Sequence, residues 1–480
     1  MRKIILISLS VLFLAILINL AWSFQKKESI NSYEKVKIKK FNISIQCWTF
    51  RKFTFFEALE KIKAIGVNYV EAYPGQRLSL DLPDTVEFIH TMEEEYIELV
   101  QKKLANLDLT LVSYGVVRFD NDPQSIRQLF GFAKRMGIEN IVTEPEYDDY
   151  ALINKMVKDF DLNVAIHNHP EPSKYWNPEM VLKNIVGLDQ RIGSCSDTGH
   201  WLRSGINPID GLKLLKGRII NLHLKDLNKF GDKKAHDVPF GEGIANIHDI
   251  LAELTLQGFN GYISIEYEYD KESLNPSPSI IKGLEYIDSI TYYKDYQQLL
   301  SFHRGRYNKH GWNQYGPGYF VLDEKTGVLK SVGGMGLFWY SKRKFKDFIL
   351  ELDFMCEESI TNSGVFLRVP DIPISDDYIY HAFEIQIDNT KKGIHRTGAV
   401  YDAEPPKKDA FKNPGEWNHY KITFQGNNIK IELNDELIVD WDAEPRGKIK
   451  DFAEKGYIGL QNHDSLSSVF FKDIYMKELK

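Results

Sequence analysis

GSCSDTGH (residues 193–200) is a run of small and apolar residues that ends on Asp197, with His200 three residues further on. Three other runs repeat the device: IVTEPEY (141–147) brings in Glu144, INLHLKD (220–226) brings in His223, and ISIEYEY (263–269) brings in Glu266. Each reads as a buried parallel strand with a metal-ligating side chain at its C-terminal end. Side chains gathered at the C-terminal ends of different strands are how a (β/α)8 barrel builds a catalytic site. The pattern therefore predicts the fold and the place of the chemistry together.

Outward from these four runs the alternation continues. NISIQ, NYVEA, LTLVSY, NIVTE, NVAIH, IGSCSD, IINLHL and YISIE are eight candidate strands, separated by amphipathic stretches such as FFEALEKIKAIG, MEEEYIELVQKKLANL, PQSIRQLFGFAKRMG and NIHDILAELTLQG. Several of these end in glycine, as a helix C-cap does. Eight strands alternating with helices predict a closed α/β barrel over residues 41–294 rather than an open doubly wound sheet. From Asp295 onward the pattern changes to alternating runs with hairpin signals, among them DFILELDF, SGVFLRV, AFEIQID and HYKITFQGNNIKIELNDELIVDW. An all-β antiparallel sandwich over residues 295–480 is the expectation.

The formal charge of −7 is spread over interleaved acidic and basic residues, which argues against a nucleic-acid surface. At the N-terminus, Arg2 and Lys3 precede an apolar stretch from Ile4 to Ile18 and then Ala21-Trp22-Ser23. That is the pattern of a signal peptide over residues 1–23, and it predicts export to a periplasm; an uncleaved N-terminal anchor is the alternative. Residues 24–40 read as a polar linker. The three cysteines, Cys47, Cys195 and Cys356, give no disulfide framework and are expected to be buried thiols.

Three carboxylates and one imidazole make a mostly oxygen site for a divalent ion such as Mn²⁺ or Mg²⁺, with positions left for substrate oxygens. Such an ion, bridging a carbonyl oxygen and a neighbouring hydroxyl, acidifies the C–H between them and stabilises an enediolate. Glu144 and Glu266 can face each other across a barrel, and Lys225, His169 and His200 supply further donors or acceptors. His167 is expected to point into the barrel wall and Asp226 to orient its neighbours. The GEG of HDVPFGEGIAN is read as a tight loop at the barrel mouth rather than a phosphate cradle, since it lacks the lysine of a P-loop.

On SDTGHW (196–201), NLHLKD (221–226), SIE (264–266) and the Thr143-Glu144 pair, the first domain resembles the xylose-isomerase-like barrel superfamily of sugar isomerases, epimerases and inosose dehydratases. The resemblance implies Glu144, Asp197, His223 and Glu266 as ligands of a divalent ion (Mn²⁺, Mg²⁺, Co²⁺ or Zn²⁺), with His200 and His169 on the substrate side. The second domain carries NSGVFLRV (362–369), FEIQIDN (383–389), TGAVYDAEPP (397–406), GEWNHYKI (415–422) and GYIGLQNH (456–463) in order. It resembles the 3-keto-disaccharide hydrolase family, which implies a concanavalin-like sandwich that binds or cleaves glycosides oxidised at C3. Alternate strand residues share a face, so Glu384, Gln386 and Asp388 are expected on one sugar-facing surface, with Arg368 from another strand and Tyr401 and Trp417 as stacking platforms.

Together these expectations converge on cleavage of 3-keto-glycosides by a metal-dependent sugar lyase or hydrolase. A 3-keto group acidifies C2–H, so the C1 substituent can leave by β-elimination. A separate sugar 3-dehydrogenase would supply the substrate, because the chain shows no dinucleotide fingerprint. A keto-sugar isomerase or epimerase with a carbohydrate-binding sandwich is the runner-up.

Overall fold

The computed structural model describes residues 33–119, 122–303 and 306–480. The signal-like segment 1–23 and the first part of the linker lie outside the described residues. The chain divides into two compact units between Lys294 and Asp295.

The first unit is a closed barrel of eight parallel strands: β1 (Asn42–Gln46), β2 (Tyr69–Ala72), β3 (Thr110–Val117), β4 (Asn140–Thr143), β5 (Asn163–His167), β6 (Ile192–Asp197), β7 (Ile219–Leu224) and β8 (Tyr262–Ile265). Each pairs with its neighbour in sequence, and β1 closes on β8 with Ser44 opposite Ser264. All eight coincide with the runs read from the sequence.

The outer helices start and stop where local chemistry requires. In α1 (Phe55–Ile65) Thr54 and Glu57 form a reciprocal capping box, Gly66 ends the helix at φ +92°, and Phe55, Ala58, Leu59 and Ile62 turn one stripe to the barrel. In α2 (Glu94–Asn106) Ile97, Val100 and Leu104 do the same. In α3 (Pro123–Met136) Asp122 caps the first turn and Gly137 the last. The chain continues through α4 (Tyr150–Phe160), α5 (Pro178–Ile185), the short α6 (Thr198–Arg203), α7 (Pro208–Leu214), α8 (Ile247–Leu256) and α9 (Ser277–Ile290).

The described end of the predicted linker departs from expectation. Tyr33 and Ile38 are buried in the barrel unit, the Tyr33 hydroxyl bonds Glu253, and Lys39 Nζ reaches Asn260 Oδ1 at 2.6 Å. Two large apolar anchors within a charged stretch were enough to dock it, whereas composition alone suggested a solvated tether.

The second unit is a sandwich of an eight-stranded and a five-stranded antiparallel sheet. The smaller sheet has the order β9 (Trp312–Tyr315), β10 (Gly336–Phe345), β15 (Gly456–Asn462), β12 (Asn362–Val369), β13 (Phe383–Asp388). At the centre of the larger sheet β11 (Phe348–Cys356) lies between β14 (Asn418–Gln425) and β16 (Val469–Glu478). Val365, Leu367, Phe383, Ile385 and Ile387 from one sheet meet Leu350, Leu352, Tyr420, Ile422 and Phe424 from the other in a single core.

Candidate active sites

In the barrel, the strand ends bring four buried side chains together. His167, Asp197, His223 and Glu266 each offer a donor atom within 4.8 Å of the others. Asp197 is the N-cap of α6, and its Oδ1 accepts the His200 backbone N–H at 2.7 Å, which leaves Oδ2 to face the centre. His223 turns Nδ1 to within 3.2 Å of Glu266 Oε2 and 3.8 Å of Asp197 Oδ2, while its Nε2 pairs with Glu71 Oε1 at 2.8 Å. A carboxylate behind an imidazole fixes its tautomer and raises its basicity toward a metal. Glu71, buried at the end of β2, is itself held by Gln46, Asn221 and Ser264.

His223 Nδ1 and His167 Nε2, which face this centre, and His167 Nδ1, which faces Glu144, are buried without a hydrogen-bond partner among the described residues, and Asp197 Oδ2 has only the ionic contact with Lys225. Orphaned polar atoms are costly unless something fills the space between them. Two imidazoles and two carboxylates at these separations fit a divalent cation.

Charge at the centre is organised by Lys225. Its ammonium, fully buried, lies 3.0 Å from Asp197 Oδ2 and 2.7 Å from Glu266 Oε2 and also pairs with Glu268. Burial pushes the Lys225 amine down, yet the carboxylates around it carry it well above its ordinary value. Burial likewise opposes ionisation of Asp197 and Glu266, but the cations facing them hold both well below the usual carboxylate range. For His200 burial dominates and keeps the imidazole well below its ordinary value. Arg203 Nη1 lies 3.0 Å from His200 Nδ1. A guanidinium can only donate, so Nδ1 accepts and the ring proton sits on Nε2, which faces Asp197 Oδ2 at 3.7 Å.

A cavity of about 360 Å³ opens above the centre, lined by Trp48, Tyr73, Arg118, His167, His169, His200, Glu266 and Glu268 among others. Trp48 and Tyr73 meet edge to face at 5.0 Å and give it an aromatic wall.

The structure thus gathers Asp197, His223, Glu266, Lys225 and His200 from the sequence-derived site, with Glu144 beside them, and it corrects one assignment. His167 points into the centre, not into the wall. Glu144, expected among the four ligands, stands with His169: Glu144 Oε1 is 2.6 Å from His169 Nδ1, 3.0 Å from its backbone nitrogen and 3.5 Å from His167 Nδ1. The reason is strand order, since β5 lies between β4 and β6 and His167 ends it next to Asp197. Asp226 does orient neighbours, accepting the backbone N–H groups of Gly241, Gly243 and Ala245 at 2.9–3.0 Å. A Cβ at Gly243 would lie 2.1 Å from its Oδ1. The GEG loop is therefore closed on the chain's own anion. Cys47, Cys195 and Cys356 are free and buried.

The sandwich carries its own cavity of about 440 Å³. Its polar lining comes from three adjacent strands of the five-stranded sheet: Asn362 on β12, Glu384 and Gln386 on β13, and Gln461 on β15. Gly364 lies opposite Gln386, and a Cβ there would come within 2.7 Å of Glu384 Oε1, so a glycine makes the trough that Glu384 fills. Glu384 pairs with Lys448, whose Nζ also sits 4.0 Å from the centre of the Tyr401 ring. His395 Nε2 meets Asp402 Oδ1 at 3.2 Å on the same wall.

Three expectations fail here. Arg368 is 1% exposed and donates to the carbonyls of Lys346, at 2.7 and 3.1 Å, and Gly426, at 2.9 Å, with its guanidinium 3.5 Å above Phe424. It is a structural cation inside the sandwich. Trp417, which leads into β14 of the other sheet, lies under Lys472 at 4.5 Å and is absent from the cavity lining. Asp388 is taken up by the backbone and hydroxyl of Thr390.

Comparison with known proteins assigns each unit. Residues 59–290 match the family model of the xylose isomerase-like TIM barrel, and residues 305–477 match that of the 3-keto-alpha-glucoside-1,2-lyase-like domain. The chain joins a xylose isomerase-like barrel to a 3-keto-alpha-glucoside-1,2-lyase-like domain. An inosose dehydratase of Clostridium botulinum is 28% identical over 150 residues, 28% of this chain and 50% of that protein. The chain spans about half the length of the curated relatives it matches. An uncharacterised protein of Parabacteroides distasonis is 31% identical over 52% of this chain and 98% of its own, with a TM-score of 0.44. A putative glycosyl hydrolase of the same organism is 26% identical over 38% and 99%, with a TM-score of 0.32.

Sequence reasoning missed Glu71, Arg203, Asp237 and Glu268 around the barrel centre, and Lys448, His395 and Asp402 in the lyase-like domain. Glu71 is the next-to-last residue of the YVEA run, as His223 is of IINLHL, so the strand-end rule that found the others would have nominated it. Lys448 sits outside any strand, in a stretch with no periodic signal.

Proposed function

We propose that the chain cleaves 3-keto-glycosides by elimination across C1–C2, with the barrel as a metal-dependent lyase and the sandwich binding or cleaving the same class of oxidised sugar. The observation that carries this reading is the set of orphaned donors of His167, Asp197 and His223 beside Glu266, at the floor of a cavity of sugar size. A divalent ion held by these four side chains would supply Lewis acidity to neighbouring carbonyl and hydroxyl oxygens. Two imidazoles in the set favour Mn²⁺, Co²⁺ or Zn²⁺ over Mg²⁺.

The chain's own groups supply the proton movements. Glu266 reaches the cavity and takes the C2 proton; the electron pair moves into the C1–C2 bond as the C1–O bond breaks. His200, neutral with its proton on Nε2, donates a hydrogen bond to the departing oxygen, which takes up the proton that Glu266 removed from C2. Lys225 holds the carboxylates ionised, and Trp48 and Tyr73 cover an apolar ring face. The relatives called inosose dehydratase are by name enzymes that remove water, which favours elimination over the isomerase or epimerase alternative. In the sandwich, Glu384, Gln386, Gln461 and Lys448 offer donors and acceptors for sugar hydroxyls. We place the substrate downstream of a separate sugar 3-dehydrogenase, and the chain outside the cytoplasm.

The test is turnover of a 3-keto-disaccharide deuterated at C2, with and without chelator. Expected are release of the aglycone, loss or slowing of the label, and abolition by chelator. An isomeric sugar without release would establish the epimerase alternative instead; retention of the label in the products would point to hydrolysis at C1.

A further inference from the structure

The trough of the sandwich holds a pair of side chains that sugar binding alone does not require. His395 Nε2 meets Asp402 Oδ1 at 3.2 Å, and both residues line the cavity. We propose that His395, oriented by Asp402, is a general base, so that the sandwich is a second active site of this chain for elimination on oxidised glycosides. The inference rests on the substrate class of the proposed function and adds to it the residue that moves the proton.

An ionised carboxylate only accepts, so the ring proton of His395 sits on Nε2 and the lone pair on Nδ1. No described residue hydrogen-bonds that nitrogen. The loop that carries the pair is tied to the floor of the trough. Tyr401 N–H donates to the Glu384 carbonyl at 2.8 Å, and Asp402 N–H donates at 3.0 Å to the carbonyl of Ile394, the residue before His395. Asp402 is held at φ +61°, a left-handed conformation uncommon outside glycine, and strained backbone of this kind collects at functional sites. Gly447 packs against it, where a Cβ would lie 2.7 Å from Asp402 Oδ2. Gln461 is the independent observation. It is 8% exposed, lines the same cavity, and its Oε1 is buried with no hydrogen-bond partner among the described residues. A sugar hydroxyl would complete that acceptor.

Elimination needs a base, an acid and a charge to face the developing enolate. Lys448, paired with the buried Glu384, can exchange that contact for the negative charge that develops on the 3-keto oxygen. Burial, with Glu384, Asp402 and Asp388 adding to it, holds the Tyr401 phenol above its ordinary value, so Tyr401 keeps a proton to give. His395 Nδ1 takes the proton from C2. The C2–H electron pair becomes the second bond between C1 and C2 as the C1–O bond breaks, and the departing oxygen takes the Tyr401 proton. The proton on His395 then returns to Tyr401, whose ring centre lies 4.8 Å from that of His395.

The test uses the full-length chain with its barrel silenced by Asp197→Asn and Glu266→Gln, both close in shape to the native residues, and a 3-keto-disaccharide deuterated at C2. Continued release of the leaving sugar with loss of the C2 label is expected. Adding His395→Ala should lower kcat by about 10²–10⁴-fold at an unchanged thermal melt, and free imidazole should restore part of it. Adding Asp402→Asn instead should lower kcat with KM unchanged, and imidazole should not restore it. A merely structural role for the pair would move the melt and would not respond to imidazole. Asp402→Asn carries the test if His395→Ala folds poorly. A barrel-silenced chain that binds the disaccharide without releasing a product, while the wild type turns it over, overturns the inference and leaves the proposed function intact. Turnover unchanged by both His395→Ala and Asp402→Asn overturns it as well. No turnover by the wild type overturns both.

Discussion

The floor of the barrel and the trough of the sandwich are both rich in buried charge, but their charges are completed differently. In the sandwich the partners are already present: Glu384 has Lys448, His395 has Asp402, and Asp388 has Thr390. In the barrel His167 and His223 keep ring nitrogens without a hydrogen-bond partner among the described residues, and Asp197 Oδ2 has only its ionic contact with Lys225. Incomplete partners in a buried site leave room for a guest, and two imidazoles and two carboxylates at these separations could hold a divalent cation. Complete partners need no guest, so the hydroxylated ligand proposed for the sandwich would bind only by exchanging contacts, at the cost of breaking an ion pair first.

Arg368 gives the sharpest way to break this comparison, because it resembles a site residue in sequence and behaves as a structural one. Its guanidinium satisfies two backbone carbonyls and covers Phe424. Arg368→Ala should cost about 3–5 kcal/mol, since each buried carbonyl left without its donor costs about 1–3 kcal/mol and a void is added. Specific activity of the protein that remains folded should be unchanged. Denaturant unfolding measured beside turnover decides it: an inactive variant of native stability would return Arg368 to the site.

A smaller effect is expected at Glu384. Glu384→Gln removes the partner of Lys448 in the trough proposed to bind sugar hydroxyls, so affinity or turnover in the sandwich should fall by about 10²-fold. Lys448→Met should fall by a similar factor, and the double variant by far less than the product of the two, because the side chains act as a pair. Titration of a 3-keto-glycoside into the three variants measures this. Independent, additive losses would show that the ion pair is not the unit of recognition.

How much of this was legible in the sequence follows from how local each signal is. Apolar runs that alternate with amphipathic stretches are a local signal, and all eight barrel strands were found by it, four of them marked as well by a candidate ligating side chain near the strand end. The partner across the barrel is not local: Glu144 and His167 both end strands, and only the lateral order of β4, β5 and β6 decides which of them meets Asp197. Arg368 was misread because of a register shift between Phe366 and Val369, where β12 pairs with β15. Arg368 sits at φ +53° in that bulge. One extra residue moves every following side chain to the other face, so Phe366 and Val369 share a cluster while Arg368 turns inward to Phe424. Alternation from Glu384 through Gln386 has no such interruption, and there the reading of the shared face agrees with the lining of the cavity.

A pH-dependent effect lies at the rim of the barrel centre, where excess charge should make this unit sensitive to pH in a way the paired charges of the sandwich do not. Asp237 is 2% exposed; one oxygen meets Arg203 at 3.1 Å and the other has no hydrogen-bond partner among the described residues. Burial pushes its carboxyl up to about 7, with Lys225 and Arg203 opposing and Glu268 adding to the rise. In the unfolded chain the same group gives up its proton near 4. Between these values the folded state binds more protons than the unfolded one, so stability falls as pH rises from about 4 to about 7 and the loss is complete above that. Asp237→Asn removes the titration. The variant should match the wild type at pH 4 and gain up to about 4 kcal/mol over it at pH 8, roughly 1.4 kcal/mol for each pH unit between about 4 and about 7, measured by denaturant unfolding with chelator present so that ion uptake does not contribute. Equal pH profiles for the two proteins would mean that Arg203 keeps Asp237 ionised throughout, and that the barrel centre is as fully paired at its rim as the sandwich trough.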